Sequence, residues 1–451
     1  MPVDKFFLLT IIFFVFLQTK QIYCMASSII KHVEIKKLWG VKTISTDFDE
    51  HVNIFIGING SSKTTFLNLI EASLSVDLKM FLSIDFEKIT ISFQSDSVKK
   101  ICVTKKEKDG DFFVDYAFDD EEPIDIPCND IIIQRAYRIP IRYRESLNFV
   151  RQKMHELINI SWLSVNRDNA NVGEFERHDY ERGSNMVDNK LKELAHNLIL
   201  YQLKLESDSS RIADHFKENV LSLMLYDETS DRYNGEEISQ YSSSDTQAMQ
   251  TELFKAFNAL GVARDKSLAI KNHVNKIKEV LDNITNHEQI TIDEAFVLAL
   301  IKRTFSIIEI SKNHESQKKE IFAPIEKFNK CLKRFMPDKT FKLNGNNEGG
   351  LGIVLKEDKK EDIPIGLSSL SSGEKQLFIL ITEALLQKGL PHLFIADEPE
   401  LSLHIGWQRL VIGELLEMNP NAQIIIATHS PEIAGKYPNN IINMKNITRY
   451  E

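Results

Sequence analysis

Residues 57–65, Gly57-Ile58-Asn59-Gly60-Ser61-Ser62-Lys63-Thr64-Thr65, decide the fold of this chain. They follow the apolar, β-rich run Val52–Ile56 and precede an apolar-periodic segment, so they join a strand to a helix. Glycines let backbone N–H groups curl around a phosphate, and the helix N-terminus adds positive potential. In such a loop Lys63 reaches the β- and γ-phosphate oxygens, and the Thr64 hydroxyl ligates Mg²⁺. We therefore predict that nucleotide phosphates are bound by Gly57, Asn59, Gly60, Ser61, Ser62, Lys63, Thr64 and Thr65.

One position departs from the usual phosphate-loop pattern. The residue before the lysine is normally glycine, and here it is Ser62. A side chain at this point forces an uncomfortable backbone angle, at a cost of about 1 kcal/mol. We expect nucleotide binding to tolerate the serine, whereas fast hydrolysis is the property that it puts at risk.

A second motif, Leu393-Phe394-Ile395-Ala396-Asp397-Glu398-Pro399, is an apolar strand that ends in two carboxylates. At the end of such a strand Asp397 can hold the Mg²⁺ shell, and Glu398 can orient or deprotonate an attacking water. The alternative is an ordinary acidic loop after a buried strand. Together with the phosphate loop, the motif predicts ATP and Mg²⁺ as ligands and ATP hydrolysis as the reaction.

Two further polar segments accompany these motifs. Leu370–Gln376 (LSSGEKQ) opens a helix upstream of Asp397, and in isolation its Ser-Ser-Gly run is a routine helix cap. The segment Ala427–Pro431 (ATHSP) follows another apolar strand and places His429 to sense a γ-phosphate. A lone histidine would otherwise be given a structural interpretation.

The four motifs, which lie along the chain in the order 57–65, 370–376, 393–399 and 427–431, resemble those of ABC-type ATPases of the non-transporter branch, the RecF, SMC and OLD-like group of AAA ATPases. The turn at Leu38–Lys42 (LWGVK) is similar to one that these proteins carry before the phosphate loop. The resemblance implies a bilobal α/β head of the P-loop NTPase type, in which two heads sandwich two ATP molecules. Transporter ATPases differ, because in them the phosphate loop and the segment corresponding to Leu370–Gln376 lie much closer together in sequence.

The resemblance also implies roles for individual residues. Ser371 and Gly373 would contact the nucleotide held by Lys63 of a second copy, in a homodimer or a higher even oligomer. Glu398 would be the catalytic base and His429 the switch histidine. Gln134 follows the apolar run Ile131–Ile133, and it is either the metal-linked glutamine of the family or an incidental strand-end amide.

The motifs divide the chain into segments. We expect an N-terminal ATPase lobe at 25–183, a helical insertion at 184–337 and a C-terminal lobe at 338–451. The insertion is almost free of glycine and proline, and it contains an apolar seam stepping by four and three residues: Ile270, Val274, Ile277, Leu281 and Ile284. Two heptads suit a helical hairpin or a small bundle rather than a long coiled-coil arm.

Composition limits the class of protein and its compartment. The chain has 451 residues, 43% of them hydrophobic, which excludes wholesale disorder, and a net charge of −10 argues against a uniformly basic nucleic-acid coat. Its four cysteines (Cys24, Cys102, Cys128 and Cys331) form no Cys-x-x-Cys pair, which excludes a thiolate zinc finger and fits a reducing compartment. We expect a cytoplasmic protein.

Residues 1–24 form a separate case. The apolar run Phe6–Leu17 is shorter than the ~20 residues that span a bilayer, and no small-x-small cleavage site follows it. Met25 reads as a normal start. We favour a start codon placed too early over a short membrane anchor, and we rank export last because the nucleotide chemistry needs cytosolic ATP. A membrane partner is not expected.

The binding partners are predicted from the family resemblance and from two short segments of the sequence. The run Glu398–His404 (EPELSLH) resembles phage-defence ATPases, such as those of Septu, retron-linked or PARIS systems, and implies an effector nuclease or toxin on a separate polypeptide. A RecF/SMC-like DNA-repair ATPase, and a nucleotide-binding scaffold with little turnover, are the alternatives. If the segment Tyr137–Arg144 is extended, it presents Arg138, Arg142 and Arg144 on one face. Such a face could bind DNA or RNA, contact an acidic partner, or simply be a solvated basic surface.

Overall fold

The computed structural model describes residues 28–108, 111–128, 141–164, 186–225, 245–262, 266–285, 292–342, 352–355 and 363–450. The segment 1–24 and the glutamine at position 134 lie outside the described residues.

The described strands are, in chain order, β1 (Ile29–Leu38), β2 (Lys42–Asp47), β3 (Val52–Ile56), β4 (Lys88–Gln94), β5 (Lys100–Lys108), β6 (Asp111–Phe118), β7 (Ile124–Pro127), β8 (Ile160–Ser164), β9 (Lys339–Lys342), β10 (Gly352–Leu355), β11 (Ile363–Ile365), β12 (His392–Asp397), β13 (Ala422–Ala427), β14 (Ile441–Asn443) and β15 (Thr448–Tyr450). The described α-helices are α1 (Lys63–Ser75), α2 (Leu78–Ser83), α3 (Ile141–Leu157), α4 (Met186–Ser222), α5 (Thr246–Ala259), α6 (Ser267–Thr285), α7 (Ile292–Phe335), α8 (Ser372–Leu386), α9 (Ile405–Gln408), α10 (Val411–Met418), α11 (Pro431–Ala434) and α12 (Met444–Ile447).

A five-stranded parallel sheet positions the predicted motifs. Its strand order is β14-β3-β13-β12-β8, and every neighbouring pair is parallel. The central strands are mostly apolar because a parallel sheet is buried on both faces; all of β13, AQIIIA, is buried. Parallel pairing brings the carboxyl ends of β3, β12 and β13 to one edge, where the phosphate loop, Glu398 and His429 follow their strands.

Two antiparallel sheets complete the strand inventory of the described residues. A seven-stranded sheet has the order β15-β2-β1-β4-β5-β6-β7, and a three-stranded sheet has the order β11-β10-β9. The predicted turn at Leu38–Lys42 is confirmed as the β1–β2 connection, where Trp39 and Gly40 both have positive φ. The main core joins the apolar faces of β1, β4, β5 and β6 to helix α1.

The chain divides into two compact units. One comprises the described residues up to Leu198 together with those from Lys327 onwards, and the other comprises Ile199–Glu326. The second unit is helical in its described residues and contains α5 and α6 in full, with parts of α4 and α7. The predicted seam of α6 is confirmed, since Ile270, Val274, Ile277 and Leu281 are buried in its core and Ile284 packs against it.

The structure corrects one prediction of local structure. The part of Tyr137–Arg144 that it describes, from Ile141 on, is the start of helix α3 and not an extended segment. The prediction of a basic strand face is therefore wrong there, and Arg138 lies outside the described residues. The α/β fold with a helical segment is confirmed.

None of the helices in the described ranges combines the length and the apolarity that a membrane span needs.

We expect acid to destabilise the parallel sheet through His392, a partly buried histidine at the start of β12. The Ser161 hydroxyl of β8 lies 2.8 Å from Nε2 of His392, and burial lowers the pKa of this imidazole to about 4. The unfolded chain, with a histidine pKa near 6.5, therefore takes up a proton first as the pH falls. The stability contributed by neutral His392 is present above pH ~6.5 and is lost as the pH falls towards 4.

We expect the free energy of unfolding of the wild type to fall by roughly 2–3 kcal/mol through this one group between pH 6.5 and 4. His392→Gln should flatten that part of the profile, which urea denaturation at a series of pH values measures. An identical acid slope in the variant and the wild type would show that other groups set it.

Candidate nucleotide-binding site

The phosphate loop joins β3 to α1 as predicted. Gly60 has φ 79°, a left-handed conformation that glycine adopts without strain. The Ser61 N–H donates to the Ile58 carbonyl at 3.1 Å, which closes the turn, and residues 58–60 are exposed. At Gly57 a Cβ would lie 2.6 Å from Ser61 Oγ and 3.3 Å from Met444 Cβ. The loop therefore keeps its shape through the absence of a side chain at Gly57.

Ser62 has the strained conformation that the sequence predicted. It precedes α1 with φ 69° and ψ 21°, in the left-handed region, and its side chain makes no capping hydrogen bond to the helix. Its hydroxyl instead accepts a hydrogen bond from Lys42 Nζ at 3.3 Å. The backbone of this loop thus has the glycine-type conformation even though serine occupies the position.

A pair of variants separates the backbone strain of Ser62 from its hydrogen bond. Ser62→Gly and Ser62→Ala both remove the contact with Lys42, but only glycine relieves the left-handed angle. We expect the glycine variant to exceed the alanine variant in free energy of unfolding by about 1 kcal/mol. Equal stabilities, measured by urea denaturation, would mean that this angle is not strained.

Lys63 lies inside the loop, with only 5% of its surface exposed. Its Nζ donates to the Gly57 carbonyl at 2.9 Å and contacts His429 Nε2 at 2.8 Å. Because a lysine ammonium only donates, Nε2 of His429 must be the acceptor in this pair. Burial lowers the pKa of Lys63, and the charges of Glu398, Asp397 and Glu400 partly offset that effect. The ammonium is thus held in a poorly solvated place where an anion stabilises it.

Glu398 and Asp397 end β12 beside the phosphate loop. Asp397 is paired in register with Ala427 of β13 and Ser164 of β8, so it lies at the carboxyl edge of the sheet. Glu398 has φ 50°, and its N–H donates to the Ala427 carbonyl at 2.8 Å. This backbone turn brings Glu398 Oε1 to 3.7 Å from His429 Nε2.

The sequence-predicted residues fall into two groups. Lys63, Glu398 and His429 come from three different strand ends and meet within hydrogen-bonding or ion-pair distance. The second group is Ser371 and Gly373, which lie at the start of α8. Ser371 bonds to Glu374 of the same helix, and Gly373 lies against Ser402. Ser371 forms a capping box with Glu374, in which the Ser371 N–H donates to Glu374 Oε2 at 2.9 Å.

Gly373 is required by a close approach of two backbones. A Cβ at this position would lie 2.4 Å from the carbonyl oxygen of Ser402, in the turn that follows β12. The start of α8 therefore packs directly on the turn that carries Glu398 and its neighbours. His404 has a structural role, since its Nδ1 caps α9 by accepting a hydrogen bond from the Gly406 N–H at 3.2 Å.

Sequence reasoning missed Glu400 as a member of this site. Glu400 is buried, and its Oε1 accepts hydrogen bonds from the Thr428 hydroxyl and from the N–H groups of His429 and Ser430, at 3.0 and 3.3 Å. The only sequence signal was its place two residues after the carboxylate Glu398, which does not reveal burial.

The donor chemistry fits a magnesium ion that is bound together with a nucleotide. Mg²⁺ is usually held by one or two carboxylates plus substrate phosphates, rather than by a cage of protein ligands. Among the described residues there is no group of three or more His, Cys, Asp or Glu side chains that could hold a metal ion. The hydroxyl of Thr64 and the carboxylate of Asp397 are oxygen donors of the required kind.

Comparison with known proteins places these motifs in a family. The model of a family described as an AAA ATPase domain matches residues 29–434. A curated relative, the retron Vc95 probable ATPase of Vibrio cholerae serotype O1 biovar El Tor, is 32% identical over 83 residues. That alignment covers 16% of this chain and 16% of the relative, so the match is local.

Solved structures with a similar course of the chain are SMC head domains. The head domain of Pyrococcus furiosus Smc, with an extended coiled coil and bound to the C-terminal domain of ScpA, has a TM-score of 0.43 at 15% identity, covering 94% of this chain and 96% of that one. The SMC head domain of Thermotoga maritima has a TM-score of 0.36 at 12% identity, covering 90% and 91%.

Proposed function

This chain belongs to the AAA ATPase domain family, and on that premise we propose that it binds ATP with Mg²⁺ and hydrolyses it. One observation carries the proposal. Lys63 Nζ, His429 Nε2 and Glu398 Oε1 converge on the carboxyl edge of the parallel sheet, with separations of 2.8 and 3.7 Å. A buried cation can neutralise the charge of nucleotide phosphates, and a carboxylate beside it can orient or deprotonate the attacking water, two tasks that phosphoryl transfer uses.

Lys63 supplies the charge that binds the phosphates. Its ammonium now donates to the Gly57 carbonyl and to His429, and both partners are neutral acceptors. Phosphate oxygens are stronger acceptors because they are anionic, so a bound nucleotide takes over these donors. Once Lys63 moves to the phosphates, Nε2 of His429 is released; after it takes up a proton, its N–H can donate a hydrogen bond to a phosphate oxygen of the nucleotide.

Glu398 is placed to act on the attacking water. Its carboxylate is 31% exposed, so that water can reach it, and it lies next to the imidazole of His429. We propose that it accepts the proton of that water as general base. Mg²⁺, held by Thr64 and Asp397, would supply charge neutralisation at the phosphates; Gln134 as a third ligand remains a proposal.

The second half of the site is proposed to come from another copy of the chain. Ser371 is exposed at the start of α8, and its own contacts are those of a helix cap. A helix N-terminus presents N–H groups to an anion, so a second copy can close over the nucleotide with Ser371 and Gly373. ATP binding would then join two heads, and hydrolysis would release them.

We propose anti-phage defence as the role of this cycle, with head closure controlling a separate effector nuclease or toxin. The local similarity to a retron ATPase supports this choice. The gene neighbourhood provides a test, since an adjacent gene for a small nuclease or a reverse transcriptase supports defence. Adjacent genes for recombination and repair would instead support a role as a DNA-repair ATPase.

The left-handed Ser62 favours one second candidate, a nucleotide-dependent scaffold with little turnover. ATP turnover by the purified chain decides between the two. ATPase activity that co-elutes with the protein in size-exclusion chromatography, and that is lost in Glu398→Gln, supports the ATPase. Tight ATP binding without turnover supports the scaffold.

A further inference from the structure

The loop that carries His429 is wrapped around a buried carboxylate of the neighbouring turn. Glu400 is only 7% exposed. A single oxygen of its carboxylate, Oε1, accepts from three consecutive residues: the Thr428 hydroxyl, the His429 N–H and the Ser430 N–H. Burying a carboxylate is costly unless hydrogen bonds compensate it, so these donors are held there strongly.

A second pair of contacts ties the same two segments together. The Ser430 hydroxyl donates to Gln408 Oε1 at 2.6 Å, and Gln408 Nε2 donates to the Leu403 carbonyl at 3.0 Å. The Ser430 N–H is also 2.9 Å from the Thr428 hydroxyl oxygen, which tightens the loop on itself. The loop is therefore fixed to the turn after β12 at both Thr428 and Ser430, on either side of His429.

This anchoring determines where the imidazole of His429 lies. The backbone of His429 is held by Glu400, while its ring contacts Lys63 at 2.8 Å and lies 3.7 Å from Glu398. The charge of Glu400 also favours the ammonium form of Lys63. A shift of this loop would move the ring away from both groups without changing either of them.

We propose that Glu400 is a positioning residue for the reaction, acting through Thr428 and the backbone of His429 to aim the imidazole at the phosphate site. The inference rests on the proposed ATPase function. It assigns no contact between Glu400 and the nucleotide, so ATP affinity should depend on Glu400 far less than turnover does.

The test uses the hydroxyl of Thr428, a fully buried residue. Thr428→Val keeps the shape but removes the donor to Glu400, whereas Thr428→Ser keeps the donor. Glu400→Gln keeps the acceptor oxygen and removes the charge. Glu414→Gln is the matched control, because Glu414 is also a buried glutamate but pairs with Arg334.

In steady-state assays on the full chain, we expect kcat to fall about tenfold or more in Thr428→Val and Glu400→Gln, with the Kd for ATP within about threefold of wild type. Thr428→Ser and Glu414→Gln should keep wild-type kcat. Wild-type turnover in Thr428→Val and Glu400→Gln would overturn the inference. So would parallel losses of affinity and kcat, because these indicate general damage. Absence of turnover in the wild type would instead overturn the ATPase function itself, so the two failures are distinguishable.

Discussion

Replacing Glu398 by glutamine is expected to abolish ATP turnover while ATP stays bound. Glutamine keeps the size of the side chain, including its approach to His429, but it cannot take a proton from water. Loss of a general base typically costs 10²–10⁴-fold in rate, so we expect kcat to fall at least ~100-fold. Phosphate release measures turnover, and a fluorescent ATP analogue measures binding.

The same variant should show an ATP-dependent dimer. If ATP joins two heads and hydrolysis separates them, blocking hydrolysis traps the joined form. Light scattering after size exclusion in ATP and Mg²⁺ is expected to show a dimer for Glu398→Gln and less of it for wild type. Retention of wild-type turnover by Glu398→Gln would remove Glu398 from the proposed chemistry.

Replacing Lys63 by alanine is expected to abolish nucleotide binding. Lys63 is the buried cation of the phosphate loop. Burial disfavours its charged form, and an anion bound in the loop would stabilise that charge. A charge-assisted contact to a multiply charged phosphate accounts for a loss in affinity of about 100-fold or more. Isothermal titration with ATP and Mg²⁺ measures the change.

Lys79→Ala provides the control for Lys63→Ala. Lys79 is an exposed lysine of helix α2, so its removal changes the net charge equally without touching the loop. Its ATP affinity should equal that of the wild type. Equal affinities in Lys63→Ala and Lys79→Ala would show that the nucleotide binds elsewhere.

The sequence predicted, for a physical reason, that the segments after β3, β12 and β13 lie at one edge of the sheet. A parallel sheet gathers the carboxyl ends of its strands, so motifs placed after β3, β12 and β13 must meet even though the chain between them is long. The predicted strain at Ser62 could also be read from one residue, since serine stands where the phosphate-loop pattern has glycine, and its φ is left-handed.

Other features depended on tertiary contacts that no local pattern encodes. Short strands such as β14 and β15 gain their structure from pairing with β3 and β2. The alternation near Arg144 suited a strand, but the described residues from Ile141 form a helix whose buried side includes Leu147 and Val150. Glu400 looked like one more acid of the run after β12, because the donors that surround it come from the loop after β13.

The most direct test of the proposed ATP site is the structure of Glu398→Gln with ATP and Mg²⁺. We predict that Lys63 Nζ leaves the Gly57 carbonyl and His429 and binds the phosphates, and that Nε2 of His429 faces the γ-phosphate. We also predict that Ser371 of a second copy covers the same nucleotide. A nucleotide bound away from the loop at 57–65, or Lys63 still paired with His429 beside bound ATP, would contradict it.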